Sequence, residues 1–242
     1  MVPVSLGEDL PRVWCKLEYL NPSGSTKDRI ARHILEKAWR EGRLEPGDLV
    51  VEASSGSTSI ALALACAQMG MRFLAFIPDS ATNERCLMIQ AYGGEVRKVP
   101  GGMGSVIDTA RRFAESEGAF LSRQFENPDN AEAHELWTAN EIMSQLPDVN
   151  VDAVVSGIGT GGSLVGLHTG FLKAGCSTIP VAAIPQCGGA EFTSNIECCS
   201  LRVHSLRNRG REVVGKWPSR ASFSVIANLY LSRSAEAEPS SA

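Results

Sequence analysis

Four stretches of this sequence combine residue types that could do chemistry. In KLEYLNPSGSTKDR (16–29), Lys27 falls in the first turn of an expected helix, after a short strand and a Pro/Gly turn. A helix amino end carries partial positive charge and disfavours a cation. A site that works with a neutral amine, as a Schiff-base lysine does, gives such a lysine a reason to be there; an ordinary solvated lysine tolerates the penalty. In EASSGST (52–58), Ser54, Ser55, Gly56, Ser57 and Thr58 gather four hydroxyls around one glycine at the start of a helix. That suits a carboxylate or phosphate, although plain N-capping draws on the same residues.

The third stretch is GIGTGGS (157–163), with four glycines in six residues between strand and helix. Glycines let the backbone approach an anion and aim several N–H groups at it. Gly157, Gly159 and Gly162 also satisfy a dinucleotide fingerprint, which requires an acidic residue after the next strand. That strand, Ile179–Ile184, runs into Pro185-Gln186, so a phosphate without a ribose fits better. The fourth stretch, RQFENPDN (123–130), offers Gln124 as a hydrogen-bond partner for a carboxylate. His33, His134, His168 and His204 show no metal-ligand spacing and read as ordinary surface or semi-buried histidines, so no metal site is expected.

These stretches need elements to hold them. Apolar strands alternate with amphipathic helices along the chain. Strands are expected at 49–52, 72–77, 95–99, 119–121, 153–156 and 179–184. Helices are expected at 27–40, 57–69, 82–92, 103–116, 130–146 and 163–174. Such alternation predicts α/β architecture with parallel sheets covered on both faces, and loops from successive strands gathered at one end. By the resemblance of these stretches to a known family, the expected organisation is a small α/β domain over 35–126 and a partial large domain from 1–34 and 127–200, with a largely irregular tail over 201–242. Within that tail, 222–231 could form one last strand or short helix.

Composition bounds the function. The 242 residues carry 23 Lys/Arg against 27 Asp/Glu, a net charge of −4, which argues against a nucleic-acid or acidic-membrane surface. No apolar run reaches membrane-spanning length. The seven cysteines form no CxxC pair, so buried reduced thiols in a cytoplasmic protein are expected, with the vicinal pair Cys198-Cys199 a matter of packing. Charge balance shifts late in the chain: residues 201–242 hold 7 Lys/Arg and 3 Asp/Glu, against 16 and 24 before them. Periodicity fades over the same segment.

Taken together, KLEYLNPSGSTKDR, EASSGSTSIALA, RQFENPDN and GIGTGGSLVG resemble, in order and spacing, the cysteine synthase and cystathionine β-synthase family of pyridoxal-phosphate enzymes. The resemblance runs from about residue 4 to about residue 185. It implies fold type II, two parallel-sheet α/β domains, with the large domain incomplete here. It implies that Lys27 carries pyridoxal 5'-phosphate as a Schiff base and moves the substrate α-proton. It also implies that Gly159, Thr160, Gly161, Gly162 and Ser163 cradle the cofactor phosphate. Ser54, Ser55, Gly56 and Thr58, with Gln124, would take the carboxylate of a small amino-acid substrate. Ser57 stands where cysteine synthases usually have an asparagine that contacts the cofactor ring hydroxyl. The implied reaction is β-replacement on an activated serine to make cysteine or a relative, in a homodimer. β-Elimination on cysteine or serine is the alternative, and a truncated, impaired fragment that binds a full-length homologue is a third. Residues after about 187–200 are expected to be an altered or frame-shifted end.

Overall fold

The computed structural model describes residues 1–4, 12–147, 150–184, 202–205 and 222–226. Two sheets organise it. One has six strands in the order β1-β2-β10-β7-β8-β9, and the other four in the order β5-β4-β3-β6. In the larger sheet β1 is Val2–Val4, β2 Arg12–Cys15, β7 Ala153–Gly157, β8 Ile179–Ile184, β9 Arg202–Ser205 and β10 Ser222–Ile226. In the smaller one β3 is Leu49–Ala53, β4 Arg72–Pro78, β5 Glu95–Val99 and β6 Phe120–Leu121, all parallel. Parallel strands need crossovers, and amphipathic helices supply them. These are α1 (Lys27–Arg40), α2 (Ser57–Met69), α3 (Asn83–Ala91), α4 (Met103–Glu117) and α7 (Gly162–Lys173). A composite helix is built from α5 (Asp129–Ala133), a π-helical turn (His134–Ala139) and α6 (Asn140–Gln145).

The α/β class and most elements agree with the sequence reading, with α2 and β8 matching to the residue. Three features differ. Residues 16–20 are not a strand: the strand ends at Cys15, and Glu18–Leu20 form a 3-10 turn. Glu18 is buried there to accept Arg29 Nε at 2.6 Å and Arg29 Nη2 at 2.8 Å. The helix expected over 130–146 is interrupted by its π turn. The helix α1 forms over the bounds expected for it and contains the expected boundary between residues 34 and 35. That helix packs Leu35 and Ala38 into the core of the small sheet, with Leu62 and Phe73, and sets Ile30 and Ile34 against Ala133. Finally, the tail adds an unexpected strand, β9, antiparallel to β8, while β10 forms within 222–231, where a last strand is one of the two expectations, and lies parallel between β2 and β7. The rest of that tail, and Cys187, Cys198 and Cys199, lie outside the described residues. Cys15, Cys66, Cys86 and Cys176 are free thiols. Among the described residues no helix is long and apolar enough to cross a membrane.

The second core joins α7 and the composite helix to the larger sheet through Ile142, Leu146, Val154, Leu164, Leu167 and Phe171. α7 comes close because one side of it is glycine. A Cβ on Gly162 would stand 2.1 Å from Asn130 Oδ1, one on Gly166 2.1 Å from the Ala131 carbonyl, and one on Gly170 2.5 Å from Ala139 Cβ. Gly104, in α4, has nothing within 4 Å of the same position. Gly166→Ala is therefore expected to destabilise the fold by about 1–3 kcal/mol, since backbone must move to admit the methyl. Gly104→Ala is expected to be neutral or stabilising by up to about 1 kcal/mol from helix propensity. Thermal melts of the two variants check both signs.

Candidate active site

Lys27 opens α1, and its backbone N–H donates to Ser25 Oγ at 3.2 Å. The turn before it is fixed by Asp28, whose carboxylate accepts Ser23 Oγ at 2.7 Å and Ser23 N at 2.9 Å. Behind it, Arg29 is clamped by Glu18 and by Glu141, which accepts from Nη1 at 2.9 Å and Nη2 at 2.8 Å. The Lys27 side chain keeps some exposure, but protein surrounds its amine. Desolvation lowers the pKa from 10.5 to about 8, partly offset by the charge of Glu52. The amine makes no hydrogen bond or ion pair among the described residues.

Glu52 is the penultimate residue of β3 and is fully buried. Its carboxylate accepts Ala53 N at 2.7 Å, Ser122 Oγ at 2.7 Å and Gln124 N at 3.1 Å. Burial still raises its pKa to about 7, against those hydrogen bonds and the charge of Lys27. Glu52 thus ties the 53–58 loop to the 122–124 turn. Arg123 holds that turn with φ at 52°, a left-handed conformation that costs a non-glycine residue about 1 kcal/mol or more.

The 53–58 loop offers less hydroxyl surface than the sequence suggests. Ser54 is buried, and its Oγ accepts Gly56 N at 3.1 Å and Ser59 N at 3.3 Å while lying 2.6 Å from Ser59 Oγ. It works as an internal cap. Thr58 Oγ1 donates to Gln124 Oε1 at 2.6 Å, and Gln124 Nε2 donates to the Ala53 carbonyl at 3.0 Å. The Ser55 carbonyl accepts Arg85 Nη1 at 2.7 Å. Gly56 has φ 142° and no room for a Cβ, which would meet Arg85 Cδ at 2.4 Å. Ser57 is the first residue of α2.

The glycine loop follows β7 and leads into α7. Gly161 is left-handed at φ 84°, and Gly162 touches Asn130. Thr160 Oγ1 accepts Asn130 Nδ2 at 2.8 Å and Gly162 N at 3.4 Å. Ser163 Oγ lies 2.9 Å from His134 Nε2, and His134 Nδ1 lies 2.9 Å from Thr138 Oγ1. Burial, reinforced by the nearby charges of Lys27 and Arg29, lowers the His134 pKa to about 3, so the imidazole is neutral. The amides of Gly159, Thr160 and Gly161 take no acceptor among the described residues, and Asn130 Oδ1 is buried without a partner. Unpaired amides, two anchored hydroxyls and the amino end of a twelve-residue helix fit a phosphate group.

The structure therefore brings together Lys27, the 54–58 loop, Gln124 and the 159–163 loop, with Glu52 behind one loop and His134 behind the other. Lys27 lies close enough to both Glu52 and His134 for its charge to act on each. Glu52 and Asn130 stand at the edges of EASSGST and RQFENPDN without a role assigned there, and His134 lies outside the four stretches. The available signals were a lone glutamate in the apolar strand LVVEA, and an Asn and a His four residues apart on one helix face.

Among known proteins, the family described as "Pyridoxal-phosphate dependent enzyme" matches residues 4–230, further along the chain than the motif resemblance reached. A cysteine synthase from Staphylococcus aureus is 44% identical over 174 residues, covering 71% of this chain and 56% of that protein. An O-ureido-L-serine synthase from Streptomyces lavendulae is 42% identical over 157 residues, covering 64% and 48%. The chain thus spans about half the length of the curated relatives it matches. A crystal structure of O-ureido-L-serine synthase superposes with a TM-score of 0.73 at 31% identity, over 93% of this chain and 71% of the other. A hydrogen sulfide-producing enzyme from Fusobacterium nucleatum superposes at 0.67 and 34% identity, over 73% and 61%.

Lys27 and Glu52 leave opposite marks on stability. A carboxyl raised from 4.5 to about 7 makes folding take up a proton, so stability falls as pH rises across that interval. An amine lowered from 10.5 to about 8 makes folding release one, so stability rises from about pH 8 to 10.5. From these two groups, the cofactor-free protein is expected to have a local minimum of stability between pH 7 and 8. Lys27→Met removes the rise above pH 8 and Glu52→Gln the fall below pH 7. Denaturant melts across the pH range check this, and parallel curves for wild type and Lys27→Met rule it out.

Proposed function

The chain belongs to the pyridoxal-phosphate-dependent enzyme family, and from that premise we propose β-replacement on an activated serine of the O-acetylserine type. Sulfide or another nucleophile adds, giving cysteine or a related β-substituted alanine. The observation that supports this reading is the desolvated Lys27 amine, without a hydrogen bond or ion pair among the described residues and near enough to Glu52 and His134 to act on both by its charge. When bound, pyridoxal phosphate supplies the electron sink for α-proton loss and departure of the β-substituent.

The chain's own residues then divide the work. Lys27, with a pKa near neutrality, anchors the cofactor and takes and returns the Cα proton. Gly159, Thr160, Gly161, Gly162 and Ser163 hold the phosphate through amides and two hydroxyls. The substrate carboxylate is met at the start of α2 by the Ser55–Thr58 segment and by the Gln124 N–H not spent on Ala53. Ser54 and Thr58 serve that segment from inside, since their hydroxyls are already engaged. Ser57 is assigned to the cofactor ring hydroxyl. Gly56 and Arg85 fix the loop's path.

A second reading, β-elimination from cysteine, is favoured by the likeness to the hydrogen sulfide-producing enzyme. Supplying O-acetylserine with sulfide, against cysteine alone, separates the two: cysteine formation supports replacement, and sulfide release without cysteine formation supports elimination. Borohydride reduction followed by peptide mapping is expected to find the pyridoxyl group on Lys27, and a label on any other lysine sinks the assignment. Lys27→Ala is expected to lower turnover on the order of 10³-fold or more, through loss of the acid/base group. We also propose a homodimer; light scattering that returns the monomer mass refutes it.

A further inference from the structure

The two hydroxyls of the glycine loop share a feature that the loop itself does not provide. Each is met from behind by a nitrogen of one helical segment, and the two nitrogens belong to residues one turn apart. Asn130 Nδ2 lies 2.8 Å from both the Gln124 carbonyl and Thr160 Oγ1. A carbonyl only accepts, so the Asn130 amide must present its NH2 group in that direction, and Thr160 Oγ1 must accept as well. Gly162 N adds a second, longer donor at 3.4 Å. A hydroxyl has one proton and two acceptor positions. With both positions taken, the remaining capacity of Thr160 is its O–H.

His134 stands in the same relation to Ser163. Its ring is 1% exposed, with Nε2 at 2.9 Å from Ser163 Oγ and Nδ1 at 2.9 Å from Thr138 Oγ1. Burial, reinforced by the nearby charges of Lys27 and Arg29, keeps it neutral, so it carries a single N–H. If that proton sat on Nδ1, Ser163 would donate its own proton to Nε2 and turn only lone pairs toward an incoming anion. An anion needs the reverse arrangement, with Nε2–H donating to Ser163 and Thr138 donating to Nδ1.

We propose that Asn130 and His134 are positioning residues for the phosphate cradle: each donates a hydrogen bond to one loop hydroxyl, so that the protons of Thr160 and Ser163 face the bound phosphate. The inference rests on the cofactor reading of the site. Asn130 has a further part, because the same NH2 group also holds the Gln124 carbonyl. It thereby sets the register between the loop that meets the substrate and the loop that meets the phosphate. The π turn beginning at His134 and the glycine side of α7 bring these donors within reach.

The test compares binding of pyridoxal 5'-phosphate with binding of pyridoxal, which lacks the phosphate, to the full chain by fluorescence titration. Asn130→Ala and His134→Leu are each expected to weaken the phosphate form by about tenfold, the scale of one charge-assisted hydrogen bond, and to leave pyridoxal nearly unchanged. His134→Gln, which keeps a donor, is expected to recover most of the loss. A double-mutant cycle then asks through which group each residue acts. Asn130→Ala should add little in a Thr160→Val background, and His134→Leu little in a Ser163→Ala background. Equal weakening of both ligands, or losses that add in full across the cycle, overturns the proposal and leaves Asn130 and His134 as ordinary buried packing. If Asn130→Ala does not fold, the His134 and Ser163 arm decides alone. A wild-type chain that binds pyridoxal phosphate no better than pyridoxal removes the phosphate reading of the loop itself, a result distinct from unchanged ratios in the variants.

Discussion

The site depends on how closely α7 lies against the composite helix over 129–145. At Gly166 the separation leaves no space for a methyl group, because the Ala131 carbonyl and His134 Cβ occupy it. Glycine inside a helix costs about 1 kcal/mol relative to alanine, so three on one side of a twelve-residue helix weaken it appreciably. Backbone-to-backbone packing around Leu164, Leu167 and Phe171 offsets that cost. The close approach also sets the reach of every polar contact behind the cradle. Asn130 and His134 have short side chains for spanning two helices, and a wider crossing would pull both off Thr160 and Ser163. The π turn belongs to the same constraint. Widened turns of this kind occur in helices mostly at functional sites, and here the turn begins at the residue that meets Ser163.

The second determinant is the charge state of Lys27, and magnitudes decide its cause. A helix amino terminus disfavours a cation by about 0.3–1 kcal/mol at an exposed site. The lowering from 10.5 to about 8 is larger than that, at roughly 1.4 kcal/mol per unit even after allowance for partial exposure. Desolvation is its largest cause. The position in the first turn therefore marks the lysine as unusual, while burial brings its pKa down to about 8. Arg29, two residues on, stays charged in similar surroundings because Glu18 and Glu141 surround it with short hydrogen bonds. Two cations in one helical turn thus shift in opposite directions, one with short hydrogen bonds to carboxylates and one without.

The same contrast shows which features were legible in the sequence. Periodicity identified α2 and β8 to the residue, because each is a regular apolar element bounded by its own turn chemistry. The anion loops were legible because their glycines and hydroxyls are contiguous. Long-range pairing was not. Lys16–Leu20 looks extended by composition, yet Glu18 is drawn into a tight turn to meet an arginine eleven residues later and held near a glutamate more than a hundred residues away. Glu52, Asn130 and His134 are single residues whose meaning lies in partners on other elements. Ser54 and Thr58 carry the right chemistry for an anion but use their hydroxyls internally, and only the direction of a side chain reveals that.

The late strand β10 draws these threads together. By composition, residues past 200 turn basic and lose periodicity, so they read as an appendage. Yet β10 lies in the interior of the six-stranded sheet, with Phe223 opposite Val13 of β2 on one side and Ala153 of β7 on the other. β2 leads within twelve residues to Lys27, and β7 leads directly into the glycine loop. Those are the two halves of the site, and they share no direct ladder. Their separation across the sheet is one strand wide, and β10 is that strand. Taking it out would leave two fragments, β1-β2 and β7-β8-β9, each with a row of unpaired backbone groups and no common register. The geometry that brings the Lys27 helix and the glycine loop into one frame therefore rests on five residues that carry no chemical motif. Their contribution is backbone hydrogen bonding, to which sequence motifs are blind.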